Sequence, residues 1–207
     1  MSLWAIVPVK PLRRGKSRLS GILSEDERTA LNQTMLINTL KTLKNVNEIE
    51  TILVVSRDPL ALSIARDYSA KTVLEDGSPD LNTAVKRAAS VAKAYFANKI
   101  LVLPADLPLI QENDISQFLA LSKGPPEIVI APDRKNDGTN ALLINPTGLI
   151  EFNYGPGSYN IHLENGKNAK SRIEVYTSER FGLDLDLPED LEILKRYNNL
   201  SLIGKGI

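Results

Sequence analysis

Apolar and polar positions along this chain alternate between strand-like and helix-like periods. Leu3–Val9 (LWAIVPV) is a near-continuous apolar run, the pattern of a strand buried on both faces. Thr51–Ser56 (TILVVS), Lys71–Leu74, 99–104 (KILVLP), Glu127–Pro132 (EIVIAP), 141–145 (ALLIN) and 173–177 read as further strands. Ser24-Glu25-Asp26-Glu27 is a capping box. Leu31, Met35, Leu36, Leu40 and Leu43 follow it at helical spacing. Further helices are predicted over 59–68, 80–96, around 112–121 and over 158–165. A last one covers 188–197, with proline at its first position and acids in its first turn. This alternation predicts an α/β fold: a mostly parallel sheet flanked by helices on both faces. No repeat, long linker or charge block divides the chain, so 1–207 is read as a single domain with a loosely held tail at 198–207.

Composition narrows the chemistry. The 207 residues are 43% hydrophobic and 24% charged, enough to bury one substantial core. Lys and Arg total 25, as do Asp and Glu, so the net charge is zero. No global electrostatic footprint for nucleic acid or an anionic membrane exists, and an anionic ligand must be caught by a local basic cluster. Aromatics make up only 5%, which argues against a base-stacking surface for single strands. Cysteine is absent, which removes disulfides, thiolate nucleophiles, iron–sulfur clusters and cysteine zinc sites. His162 is the single histidine. Metal chemistry must therefore use carboxylates, which favours Mg²⁺ or Mn²⁺. No apolar run reaches the roughly 18 residues of a membrane span, and no signal peptide is recognisable. A soluble, cytoplasmic protein is expected.

Ligands of open α/β sheets bind at the carboxyl ends of strands. After the first strand comes Lys10-Pro11-Leu12-Arg13-Arg14-Gly15-Lys16-Ser17-Arg18, with five basic residues in nine. Cations and approachable backbone amides are what a phosphate chain needs. A Walker A reading of Gly15-Lys16-Ser17 fails, because Lys10 stands where the earlier glycine is required. The alternative is a solvated basic loop. After the central strand, Asp106 in LPADLPL is placed to hold Mg²⁺ beside a nucleotide phosphate, or else to make an Asx turn. In Asp184-Leu185-Asp186-Leu187-Pro188-Glu189-Asp190, alternation puts Asp184 and Asp186 on one face. One of them could complete the metal site; the competing role for Asp186 is a helix N-cap before Pro188. Glu189 and Asp190 read as first-turn helix acids.

Two polar glycine segments remain. Asp137-Gly138-Thr139-Asn140 precedes a strand, and Tyr154-Gly155-Pro156-Gly157-Ser158 precedes a helix whose free N–H groups suit a small anion. Both also read as ordinary turns. His162 reads first as a surface helix residue and second as an imidazole facing an acidic substrate. Asn82, at a helix start, is either a cap or an amide reading a base edge.

In this order WAIVPVKPLRRGKSRL, Asp80-Leu81-Asn82, LPADLPL, GTN, YGPGS…H and DLDLPEDL resemble the 2-phospho-L-lactate / phosphoenolpyruvate guanylyltransferases of coenzyme F420 biosynthesis. The resemblance runs from Trp4 to Leu194. It implies a GT-A-like nucleotidyltransferase fold and transfer of GMP from GTP onto a three-carbon phospho-acid, with loss of pyrophosphate. It implies Lys10, Arg14, Lys16 and Arg18 on the triphosphate, and Asp106 and Asp186 on Mg²⁺. Thr139 or Asn140, with Gly155 and Ser158, would contact the phospho-acid, and Asn82 the guanine. The product would pass to a later transferase of the pathway, and a homodimer is left open. The competing readings are a nucleotidyltransferase of the same fold with another base or acceptor, and a nucleotide-binding protein without turnover.

Overall fold

The computed structural model describes residues 2–197; the tail expected to be loosely held lies outside the described residues. Strands β1 (Leu3–Val9), β2 (Thr51–Ser56), β3 (Lys71–Leu74), β4 (Lys99–Val102), β5 (Glu127–Pro132), β6 (Thr139–Asn145) and β7 (Arg172–Val175) form one sheet in the order β3-β2-β1-β4-β6-β5-β7. β1 pairs parallel with β2 and β4, β2 with β3, and β5 with β7. β6 alone runs against its neighbours β4 and β5. The carboxyl ends of β1 to β4 therefore share one edge.

The helices are α1 (Glu25–Lys44), α2 (Pro59–Asp67), α3 (Leu81–Ala94), α4 (Glu112–Ala120), α5 (Ser158–Asn168), α6 (Glu179–Gly182) and α7 (Pro188–Arg196). Ser24 caps α1 through the expected reciprocal box with Glu27. Side chains of β1 alternate between the two faces. Leu3, Ala5 and Val7 pack with Leu36, Leu40 and Phe118 on one side. Trp4 and Ile6 pack with Val85, Ala88 and Ala92 of α3 on the other. A third cluster joins Leu19 and Leu23 to Leu31, Met35, Leu185 and Leu191. It ties the basic segment to the distant DLDL segment, so both are held by buried leucines rather than by their charges.

Two boundaries differ instructively from the periodicity. β4 stops at Val102, because Leu103 onward turns toward the site. β6 starts at Thr139 rather than at residue 141, because both polar residues are buried and Thr139 pairs with Pro132 of β5 across a register shift that leaves Asn140 unpaired in the ladder. The short helix α6 had no apolar period to reveal it.

Glu127 opens β5 fully buried. Its carboxylate accepts from Ser122 Oγ (2.5 Å), Lys123 N (2.8 Å), Gly124 N (3.1 Å) and Asn145 Nδ2 (3.0 Å). Burial disfavours the charge, but these hydrogen bonds outweigh it and hold the pKa below the ordinary glutamate value. A carboxylate with a depressed folded pKa contributes stability above its unfolded pKa and loses it as pH falls through the folded one. Glu127→Gln is expected to lower the urea-unfolding free energy by about 1–3 kcal/mol near neutral pH. The deficit should shrink as the pH is lowered into the acid range.

Candidate active site

The basic segment leaves β1 and folds back in a turn, with the N–H groups of Arg14 and Gly15 both donating to Pro11 O (2.9 and 3.0 Å). The glycine amide expected to face phosphate is therefore already used. Gly15 serves a close approach instead: a Cβ there would meet the Asn32 side chain at 2.5 Å. Asn32 in turn donates to Leu12 O (2.7 Å), while Leu12 N donates to Asp58 Oδ2 (2.8 Å). The segment is thus clamped by α1 and by the N-cap of α2.

Lys16 adopts the left-handed conformation, φ 57°, just before a 3-10 turn over Ser17–Leu19. Such a backbone costs a non-glycine residue about 1 kcal/mol and persists only where surroundings enforce it. Here it carries the ammonium beneath the loop, where Nζ lies 3.0 Å from Asp106 Oδ2 with only 7% of the side chain exposed. Arg18 Nη1 makes the corresponding contact with Asp186 Oδ2 at 2.8 Å. The cations and carboxylates expected to serve phosphate and metal therefore face each other in pairs. Leu185 N donates to Asp106 O (2.9 Å), which locks the two acidic segments side by side. Asp190, buried, accepts from the backbone N–H groups of Asp186 (2.9 Å) and Leu187 (2.7 Å) and pairs with Arg134. It is the first-turn acid of α7 that the sequence implies, and it also anchors the acidic segment.

A cavity of about 390 Å³ opens on this edge. Lys10, Arg14, Lys16, Asp106 and Asp186 line one part of it, and Arg57, Glu75, Pro79 and Leu81 another. Asp184, which the resemblance leaves off the metal, lies near enough to Asp106 to feel its charge. Burial, and then the negative charge of Asp106, push its carboxyl above the ordinary aspartate pKa. Asn140 Nδ2 lies 3.4 Å from it.

The glycine segments are more closed than their sequence implies. Gly157 N donates to Asp137 Oδ1 (3.2 Å), Ser158 N to Gly155 O (3.1 Å) and Tyr159 N to Asp137 O (3.0 Å). The start of α5 is thus already served by the protein. Asn140 is buried and donates to Phe181 O (2.8 Å). Asn82 uses both ends of its amide on Tyr154, donating to its carbonyl (3.1 Å) and accepting from its N–H (2.6 Å). In this arrangement Asn82 fastens the YGPGS turn to α3, and it is not among the residues that line the cavity.

His162 is fully buried, not on the surface. Asn153 N–H donates to Nε2 (3.0 Å), so Nδ1 carries the ring proton and donates to Thr139 Oγ1 (3.0 Å). Ser158 Oγ donates to the same oxygen (3.3 Å), which leaves the Thr139 proton free to point elsewhere. Burial lowers the His162 pKa to about 4. Proton-detected NMR of the lone imidazole should accordingly show it neutral from alkaline pH down to about pH 5, without the inflection of an ordinary histidine near 6.5. Because the unfolded chain binds that proton more readily, stability should decline as pH falls below the unfolded value.

Known proteins match the chain over most of its length. The family described as guanylyl transferase CofC like matches residues 3–199. A phosphoenolpyruvate guanylyltransferase of Rubrobacter xylanophilus is 39% identical over 195 residues, covering 94% of each chain. A 2-phospho-L-lactate guanylyltransferase of Methanocaldococcus infernus is 37% identical over 186 residues, covering 90% of this chain and 81% of the relative. Among solved structures, a nucleotide-diphospho-sugar transferase of Desulfovibrio desulfuricans superposes with a TM-score of 0.77 at 16% identity, covering 98% of this chain and 94% of that one. The 4-diphosphocytidyl-2C-methyl-D-erythritol synthase of Anaerococcus prevotii gives 0.63 at 14% identity, covering 95% and 96%. At those identities the two structures speak for the fold, which is that of the nucleotidyltransferases. The chain belongs to the CofC-like guanylyl transferase family.

Proposed function

We propose that the chain transfers GMP from GTP to the phosphate of a three-carbon phospho-acid, phosphoenolpyruvate foremost and 2-phospho-L-lactate next, in coenzyme F420 biosynthesis. The observation that carries this reading is the facing of two cation–carboxylate pairs, Lys16–Asp106 and Arg18–Asp186, at one edge of the sheet. The preference for phosphoenolpyruvate follows the 39% identical relative.

An oxygen of the acceptor phosphate attacks the α-phosphorus of GTP. The bond from that phosphorus to the β-phosphate bridging oxygen breaks, and pyrophosphate leaves with the electron pair. The attacking oxygen is already anionic near neutral pH, so no strong base is required, and catalysis is positioning plus electrostatics. Lys10, Arg14 and Lys16 line the cavity and are assigned to the triphosphate, with Arg18 beside them. Their charge offsets that accumulating on pyrophosphate.

Mg²⁺ fits the donor set. Asp106 and Asp186 line the same cavity, and two carboxylates plus nucleotide oxygens are what this ion takes at phosphate sites. Among the described residues, no three carboxylates or histidines gather into a metal cluster. When bound, Mg²⁺ supplies neutralisation of phosphate charge. Lys16 and Arg18, relieved of their carboxylates, turn to the phosphates.

The phospho-acid is assigned to Thr139, with Gly155 and Ser158 shaping its turn. The Thr139 hydroxyl, held by His162 and Ser158, keeps a proton for a substrate oxygen. Asn140 next to it lies 3.4 Å from Asp184, which in turn feels the charge of Asp106.

Pyrophosphate release with Mg²⁺ and GTP, adding phosphoenolpyruvate, 2-phospho-L-lactate or 3-phosphoglycerate singly, tests the reaction. Release with the first or second acid is expected; silence with all three would overturn the assignment. Asp106→Asn should keep its circular dichroism and lower kcat by about 100-fold or more. A rate within a few-fold of the unaltered protein at saturating Mg²⁺ would remove Asp106 from the metal.

A further inference from the structure

With Asn82 committed to Tyr154, the base needs another reader. Resting on GTP as the donor, we infer that Glu75 is the residue that selects guanine, accepting its N1–H and 2-amino groups, with Arg57 holding the carboxylate in place.

The cavity that contains the basic loop continues past β1 to the ends of β2 and β3, where Arg57 and Glu75 line it. From β4 to β3 there are three strand spacings, about 14 Å. A nucleotide with its phosphates at Lys16 and Asp106 therefore brings its base to this far part. Val55, Pro79 and Leu81 line it with apolar surface, which suits the faces of a flat ring. The ring edge must then meet the polar groups.

Those groups are arranged in advance. Arg57 Nη2 donates to Glu75 Oε1 (3.1 Å) and to Gly77 O (2.9 Å). Asp80 N approaches the same carboxylate oxygen at 3.3 Å. Oε1 is thereby occupied, while Oε2 accepts no hydrogen bond from any described residue. The two side chains keep only 24% and 12% of their surface exposed, so the carboxylate is fixed and partly desolvated. Asp80 also lines the cavity, but its carboxylate caps α3 through Thr83 N (2.7 Å) and Oγ1 (2.6 Å). Asp80 Oδ1 also accepts no hydrogen bond from a described residue, but Asp80 is exposed, whereas Glu75 is largely buried and held by Arg57, so Glu75 is the carboxylate fixed in place to face a ligand.

Chemistry chooses the base. A carboxylate only accepts, so it favours an edge that presents adjacent donors. Guanine has two, N1–H and the 2-amino group. Adenine and cytosine each place a ring-nitrogen lone pair there, which the carboxylate repels. Uracil offers one donor between two carbonyls.

The test is calorimetric binding of nucleotides with Mg²⁺, without acceptor, so that it does not depend on which acid is used. The unaltered protein should bind ITP, which lacks only the 2-amino group, about 10- to 100-fold more weakly than GTP. Glu75→Gln should lose about 100-fold for GTP and come to prefer XTP. With its oxygen kept on Arg57 Nη2 and Asp80 N, the glutamine presents Nε2 to the ring, which donates to the 2-carbonyl of xanthine and repels the 2-amino group of guanine. A residue that merely braced the turn at 75–80 would not produce that exchange. Equal binding of GTP and ITP by the unaltered protein would overturn the proposal. So would a folded Glu75→Gln variant that still prefers GTP to XTP, or one that weakens both alike. Absence of any GTP binding to the unaltered protein would instead sink the donor assignment itself.

Discussion

Everything at this site depends on placing an ammonium group under a loop and against a carboxylate. Lys16, with its left-handed backbone, lies 3.0 Å from Asp106, and the loop that carries it is held by Asn32 and Asp58 at Leu12 and by the burial of Leu12 and Leu19. The parallel pairing of β1 with β4 then brings the loop and the LPADLPL turn to the same edge. A less buried lysine would be a surface ion pair, worth little and screened by salt. At 7% exposure the charge is largely withdrawn from water and must keep an anionic partner, either the carboxylate or a phosphate. That requirement lets one pair hold the loop and also yield to a nucleotide.

Polar chemistry on the other side of the sheet follows a different rule. The buried imidazole of His162 stays neutral and acts as a fixed donor, its tautomer set by the Asn153 N–H. Asn82 and Asp137 likewise face the backbone of the YGPGS turn rather than solvent. Rigidity of this kind costs no reorganisation when substrate arrives, which is the condition for positioning to count in phosphoryl transfer.

Much of the fold was legible because buried parallel strands leave contiguous apolar runs, and β1, β2, β3 and β5 have the limits those runs imply. β6 was read two residues short, since Thr139 and Asn140 look like loop residues until their buried partners are known. His162 was misplaced because Ser158–Asn168 is polar along most of its length, and only the packing of Tyr154 and Thr139 around the ring buries it. For the candidate site, the rule that ligands meet strand ends singles out Lys16 and Asp106, whose neighbours are unusual and which the fold brings together. The same rule points to Arg57 after β2 and Glu75 after β3, but single charged residues there lack a local motif. Asp184 differs from Asp186 only through burial and the nearness of Asp106, which no spacing encodes.

The most direct test of the account is a crystal structure with Mg²⁺ and a GTP analogue that cannot release pyrophosphate. The triphosphate should lie along Lys10, Arg14, Lys16 and Arg18, with Lys16 and Arg18 turned from Asp106 and Asp186 to phosphate oxygens, and both carboxylates facing the metal. A triphosphate bound elsewhere, with the Lys16–Asp106 and Arg18–Asp186 pairs intact, would contradict it.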